Sequence, residues 1–265
     1  METRGLIVEN PVPLFTKFKM KANPPRIRPA VRQIQAAATA AISIVIPAHN
    51  EEDYLPRTLD ALRLQDYPAF EVIVVANGCA DRTAEVARHR CDQLIVLSQK
   101  SLGVARNLGA RMARCELVIF LDADTILEPR ALSVIAREFS ENDAAGTLQG
   151  QPDGHRLSYR IIYAVKNALH RWSLHRGSSG VIICWKKDFM SVGGFDESLE
   201  VRENSHLIKR LNRFGTYKYI NRIAATTSMR RYDQRGCGRT VWLWFKLWCL
   251  SLFGDLSRRS YETVR

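Results

Sequence analysis

What this chain lacks narrows its function before any motif is read. Its six cysteines, at 79, 91, 115, 184, 237 and 249, show no close pairing of the metal-knuckle kind. Several fall inside apolar runs, so reduced, structural thiols are expected rather than a disulfide framework. The first residues show no charged-then-apolar leader. No apolar stretch reaches the length of a bilayer-spanning helix. There is no internal repeat and no recognisable nucleic-acid-binding motif. These absences point to a cytoplasmic protein with no nucleic-acid partner. What is present suits one sizeable α/β domain: 265 residues, 46% of them hydrophobic.

The chain carries a net charge of +12, unevenly placed. Residues 1–40 hold seven Lys/Arg against two Glu, net +5, and residues 226–265 hold eight against three acids, again +5. The 185 residues between carry the remaining +2. Five of the ten prolines lie in 1–40, with the basic string Lys17, Lys19, Lys21, Arg26, Arg28 and Arg32. That composition reads as a basic arm or a surface wrap. At the other end, Val241–Phe253 contains three of the five tryptophans, preceded by Arg230, Arg231, Arg235 and Arg239 and followed by Arg258 and Arg259. Tryptophan flanked by cations is what an interfacial helix uses among lipid headgroups, which would put the protein peripherally on the inner face of a membrane through 230–259. A core helix packed on the sheet is the other reading.

Between these ends, apolar runs alternate with helix-like segments. Ile42–Ala48, Glu71–Ala76 and Leu117–Leu121 are short, β-branched and bounded by polar residues, as buried parallel strands are. Helices are expected near 52–65, 81–90, 103–114, 129–139 and 157–172, with Asp81 as an N-cap and Pro129 in a first turn. A further strand is expected at 144–149. The strand 117–121 stops at Asp122-Ala123-Asp124, two carboxylates at i and i+2 on the edge where open α/β sheets place ligands. Such a pair can grip one divalent cation, Mg²⁺ or Mn²⁺, whose other positions are filled by phosphate oxygens. An Asx turn closing the strand is the alternative.

Five motifs in order carry a resemblance: Pro47-Ala48-His49-Asn50-Glu51, Asn77-Gly78-Cys79-Ala80-Asp81, Ala105-Arg106-Asn107, Asp122-Ala123-Asp124, and Gly193-Gly194-Phe195-Asp196 followed by Glu203 and Arg210 to Gly215. Over roughly residues 42–225 the chain resembles the nucleotide-diphospho-sugar glycosyltransferases, a family-2-like group that includes dolichyl-phosphate mannosyltransferase and bacterial polysaccharide glycosyltransferases. The resemblance implies a GT-A (Rossmann-like) α/β fold with a mixed, mostly parallel sheet flanked by helices. It implies a single domain at 41–225, with a nucleotide half at 41–125 and an acceptor half at 126–225. The implied activity is metal-dependent, inverting transfer from a UDP- or GDP-sugar to a hydroxyl acceptor, lipid-linked or on a polysaccharide.

The same resemblance assigns residues. Pro47, Ala48, His49, Asn50 and Glu51 would surround base and ribose, with Asn77 at the base edge. Asp122 would meet ribose or metal-bound water beside Ala123, and Asp124 would hold the metal. Arg106 would meet the nucleotide or a phosphate; a helix-surface arginine is the other reading. Ala76 and Cys79 stand where Asp and Ser are usual, which leaves the base of the donor open. The larger departure is Glu203-Asn204, where relatives show Glu-Asp with the aspartate as general base. Asn cannot take a proton at neutral pH. Four outcomes stay open: Glu203 serves as the base, Asp196 or another carboxylate does, Asn204 supports a retaining or acceptor-assisted route, or the chain is a weakened paralogue that binds nucleotide sugar or a partner without efficient transfer. His206 is a further candidate base or metal ligand, or a polar helix residue.

Overall fold

A computed structural model describes residues 4–8, 41–174, 176–199, 202–240 and 242. Seventeen elements alternate along it. The strands are β1 (Arg4–Val8), β2 (Ile42–Ala48), β3 (Phe70–Asn77), β4 (Gln93–Leu97), β5 (Leu117–Leu121), β6 (Thr125–Leu127), β7 (Asp143–Pro152), β8 (Val181–Trp185) and β9 (Thr216–Thr227). The helices are α1 (Leu55–Arg63), α2 (Thr83–Ala87), α3 (Leu102–Met112), α4 (Ala131–Glu138), α5 (Leu157–Arg171), α6 (Lys186–Ser191), α7 (Glu203–Leu211) and α8 (Arg230–Arg235).

One sheet runs through the molecule in the order β1-β4-β3-β2-β5-β8-β7-β9-β6. Strands β1 to β5 pair in parallel, and the largely apolar β2, β3 and β5 are buried along nearly their whole length, as parallel strands covered on both faces are. Beyond β5 the pattern changes. β8 is antiparallel to both β5 and β7, β9 is parallel to β7, and β6 is antiparallel to β9. The sheet is therefore mixed. Its expected mostly parallel character holds from β1 to β5 and gives way beyond, where β8 and β6 run antiparallel to their neighbours.

Helices cover both faces. Leu55, Leu59 and Leu62 of α1 and Leu132 and Ile135 of α4 pack on Ile42, Ile44, Val74 and Ile119. On the other face Ala105 and Ala110 of α3, Phe189 of α6 and Leu207 and Leu211 of α7 pack on Val45, Ile73, Val75 and Phe120. α3 lies so close to β2 and β3 that a Cβ on Gly109 would stand 2.3 Å from Val45 Cγ1.

Within the basic N-terminal stretch, residues 4–8 add β1 to the sheet edge beside β4; the string from Lys17 to Arg32 lies outside the described residues. The five described cysteines are free. Burial pushes the Cys91 thiol up to about 11 and raises Cys184 as well, so neither is a ready nucleophile. Among the described residues no helix is long and apolar enough to cross a membrane.

Candidate active site

β5 delivers the two carboxylates, and the turn after it fixes them. Asp122 N–H donates to Gly180 O at 2.9 Å and Thr125 N–H returns to Asp122 O at 3.1 Å. Ala123 O accepts from Thr58 Oγ1 at 2.8 Å, and Asp124 O accepts from Ser228 N–H at 3.2 Å. Gly180 sits at φ +87°, and a Cβ there would stand 2.4 Å from Thr125 Oγ1, so only glycine fits beside this turn. The strand thus closes in a backbone turn rather than an Asx turn, with the Asp122 carboxylate facing Arg106. The turn holds two carboxylates that are each met by an arginine.

Arg106 is the first. It is 3% exposed, not a helix-surface residue. Its Nη2 donates to Asp122 Oδ1 at 3.1 Å, while Nη1 donates to Glu203 Oε1 at 3.2 Å and to Asn204 Oδ1 at 2.9 Å. The guanidinium carbon lies 4.9 Å from the Phe195 ring centroid. One buried cation thus joins the end of β5 to the start of α7. Arg202, the residue before α7, has φ +63°, a left-handed conformation uncommon for a side chain of this size. That turn brings both Glu203 and Asn204 onto Arg106.

Arg230 of α8 is the second, and sequence reasoning grouped it with the lipid-facing cations. It points inward instead: Nη2 donates to Glu51 Oε1 at 2.5 Å and to Asp124 Oδ2 at 3.2 Å, with the guanidinium 4.2 Å from the Tyr54 ring centroid. No local signal distinguished it from Arg231, because its partners are far away in sequence. The Asp124 carboxyl is pushed up to about 6, first by burial and then by the Asp122 charge.

The Pro47–Glu51 loop closes the other side. His49 Nδ1 pairs with Asn77 O at 2.8 Å, and Asn50, at φ +52°, accepts Ala80 N–H at 2.9 Å. Glu51 N–H donates to Thr83 Oγ1 at 2.7 Å. Asp81 stands one residue before Arg82, the N-cap of α2, rather than at the cap expected for it, and its carboxylate accepts from Thr83 N–H at 3.0 Å and Glu52 N–H at 3.1 Å. Asn77 is 2% exposed, with its side-chain oxygen on Ser101 N–H at 2.8 Å. Cys79 Sγ donates to Ala48 O at 3.3 Å.

Asp196 stands apart from these groups. Its carboxylate accepts from Ser198 Oγ at 2.6 Å and Ser198 N–H at 3.0 Å, and the Ser198 hydroxyl holds it below the usual carboxylate range. Among the described residues no three His, Cys, Asp or Glu side chains converge as a ready-made metal cluster. A two-carboxylate site completed by ligand oxygens is still compatible with the donor set, because two close carboxylates, one desolvated, are what a divalent cation relieves.

A mixed α/β sheet with carboxylates closing its central strand defines the class: a GT-A-like nucleotide-sugar glycosyltransferase domain. The profile of Glycosyl transferase family 2 matches residues 43–176, and the chain belongs to that family. Among curated relatives it is 29% identical over 166 residues to the Putative glycosyltransferase EpsH of Bacillus subtilis, covering 51% of this chain and 48% of that protein. It is 30% identical over 189 residues to the Poly-beta-1,6-N-acetyl-D-glucosamine synthase of Staphylococcus epidermidis, covering 65% and 46%. The chain thus spans less than half the length of these relatives. Among solved structures, S. aureus TarS 1-349 in complex with UDP-GlcNAc superposes with a TM-score of 0.58 at 21% identity, over 72% of this chain and 59% of that one. The mannosyltransferase PcManGT of Pyrobaculum calidifontis in complex with GDP-Man and Mn²⁺ gives 0.57 at 17%, over 71% and 56%. At these identities the superpositions speak for the fold.

Proposed function

We propose that this chain transfers a sugar from a UDP- or GDP-sugar to a hydroxyl acceptor, with inversion. The donor would lie over the nucleotide half, 41–125, and the acceptor over 126–225. The observation that carries this reading is the Arg106 bridge, which brings Asp122 and the Glu203–Asn204 pair to one guanidinium. Asp124 with Asp122 would hold Mg²⁺ or Mn²⁺, which when bound neutralises charge on the departing diphosphate. The loop Pro47–Glu51, with Asn77 and Ala123, would shape the base and ribose site.

Glu203 is the group that accepts the acceptor's proton in this scheme. Asn204 offers only an amide oxygen, already bound to Arg106. The Asp196 carboxylate is turned to Ser198, whereas Glu203 shares the Arg106 guanidinium with Asp122, and that placement beside the proposed metal site is what favours Glu203. A polysaccharide synthase among the relatives, and structural neighbours bound to UDP-GlcNAc and GDP-Man, support a hexosyl donor. The acceptor would be lipid-linked or a polysaccharide, and the tail around 230–259 would rest on an anionic membrane. Of that tail Arg230 faces the site, and residues 243–265 lie outside the described residues.

A second reading has its own support: both carboxylates are occupied by arginines and the usual base is an amide. It makes the chain a weakened paralogue that binds nucleotide sugar without efficient transfer. A UDP- and GDP-sugar panel, assayed for calorimetric binding and donor hydrolysis with and without Mn²⁺, separates the two. Binding with metal-stimulated hydrolysis supports the transferase, binding without turnover supports the paralogue, and no binding under either condition sinks both.

A further inference from the structure

α5 has two apolar faces where a helix on a sheet needs one. Its inner face buries Tyr159, Tyr163 and His170. Its outer face leaves Leu157 69%, Ile161 55% and Val165 55% exposed, followed by Trp172 at 68% and Leu174 at 69%. Four-residue spacing aligns 157, 161 and 165, and at about 100° per residue Trp172 falls on the same side. Ten large hydrophobic side chains are conspicuously exposed among the described residues, and these are five of them, so the strip is a patch rather than scatter.

Charge selects what covers it. From Gly154 to Gly180 there is no Asp or Glu, while Arg156, Arg160, Lys166, Arg171 and Arg176 lie in the same stretch. Arg160, Arg171 and Arg176 are exposed, and Arg156 keeps a 70% exposed side chain while pairing with Asp233. The chain's own tail is a poor complement. Residues 243–265 carry Lys246, Arg258, Arg259 and Arg265 against Asp255 and Glu262, net +2. A second copy would set the same cations against themselves. An anionic bilayer offers both an apolar interior for the strip and phosphates for the rim.

We infer that the outer face of α5 is a docking surface for an anionic lipid bilayer. It shares with the proposed tail contact only the need for a membrane, since its residues are different. The helix's other side leads to the carboxylates. Asn167 brackets Gly150 of β7, bonding its N–H at 3.0 Å and its carbonyl at 2.9 Å. Tyr163 covers Gly150 so closely that a Cβ there would stand 2.8 Å from its ring, and β9, paired with β7 at Gly150–Ala225, carries Thr227, whose hydroxyl lies 3.4 Å from that of Thr125, the residue after Asp124. Docking through α5 therefore sets the acceptor half against the lipid surface.

Flotation of the full chain with phosphatidylcholine vesicles, with and without about one-third phosphatidylglycerol, tests this. Wild type should float with the anionic vesicles and be released by salt. Ile161→Asp/Val165→Asp should lower partitioning about tenfold or more at an unchanged melting temperature. Should that variant fold poorly, Arg160→Glu/Arg171→Glu gives the same expectation without touching the apolar strip. Normal flotation of a folded variant overturns the inference, as does a wild type that ignores anionic vesicles at low salt. A Trp242→Ala/Trp244→Ala/Trp248→Ala protein keeps the two contacts distinct. Loss there with normal α5 variants overturns the α5 surface and leaves the tail contact standing, and the reverse pattern supports the α5 surface and removes the tail.

Discussion

Arg106 shows how much one side chain holds here. It is almost fully buried and is shared among Asp122, Glu203 and Asn204. Lysine offers a single point of charge and cannot reproduce that fork. Arg106→Lys should therefore keep the fold but lower kcat/KM about a hundredfold, whereas Arg106→Met should also cost about 3 kcal/mol in denaturant unfolding, by leaving buried carboxylate charge uncompensated. Glu203→Gln should cut turnover by about 10²–10⁴-fold with little change in donor affinity. Asn204→Asp in that background reports on the base directly: rescue would show that the ancestral position still works. At Asp124 the sign of the pH effect follows from its carboxyl, raised from 3.8 to about 6 by burial and then by Asp122. Below pH 4 the folded and unfolded chains both hold this proton. Between 4 and 6 only the folded one does, so stability falls through that window, by on the order of 2–3 kcal/mol. Thermal melts in EDTA from pH 4 to 7.5 should show that loss in wild type and its absence in Asp124→Asn. Parallel curves would remove the claim. The carboxylate pair was legible because i, i+2 spacing at a strand end is local. Arg230 was not, since 106 residues separate it from Asp124 and only the folded sheet brings them together.

Elements were legible where one physical cause dominates. β2, β3 and β5 are largely apolar runs, broken by Ser43 in β2 and by Glu71 and Asn77 in β3, and α3 and α5 fall within a residue or two of their sequence-predicted spans. α4 starts at Ala131 because Pro129 is still in the preceding turn, its carbonyl taking Asp66 N–H at 3.0 Å. β7 runs to Pro152, past its apolar stretch, because β9 pairs along it; β9 itself was hidden. The register shift at Leu148/Gln149 breaks the side-chain alternation that marks a strand from sequence. The contact between α3 and β2 gives an element-scale prediction. Gly109→Ala places a methyl 2.3 Å from Val45 Cγ1 and 3.3 Å from Val75 Cγ2. It should destabilise by about 1–3 kcal/mol in urea, and Val45→Ala in the same chain should recover part of that. Strictly additive losses would mean that α3 moves aside instead.

Across the whole molecule, the chain's C-terminal part closes the site that its first strands open. Arg230 lies just beyond β9, the last described strand in sequence, and pairs with Glu51 and Asp124. A chain ending after Ser228 should melt at clearly lower temperature than one ending after Trp242, and Arg230→Ala in the full chain should reproduce most of that gap. Equal melting of all three would show that the two acids tolerate each other without the arginine. The overall charge made the ends look like appendages, and at Arg230 that impression was incomplete, because a net charge carries no direction. The Arg106 bridge also has a thermodynamic side. Its guanidinium divides its hydrogen bonds between the carboxylate assigned to the donor and the two side chains assigned to the acceptor. Whatever draws it toward one loosens its hold on the other. If the two subsites lie where we propose, their occupancy would be energetically linked through a single residue, and linkage is reciprocal: the factor by which a donor changes acceptor affinity would equal the factor by which an acceptor changes donor affinity.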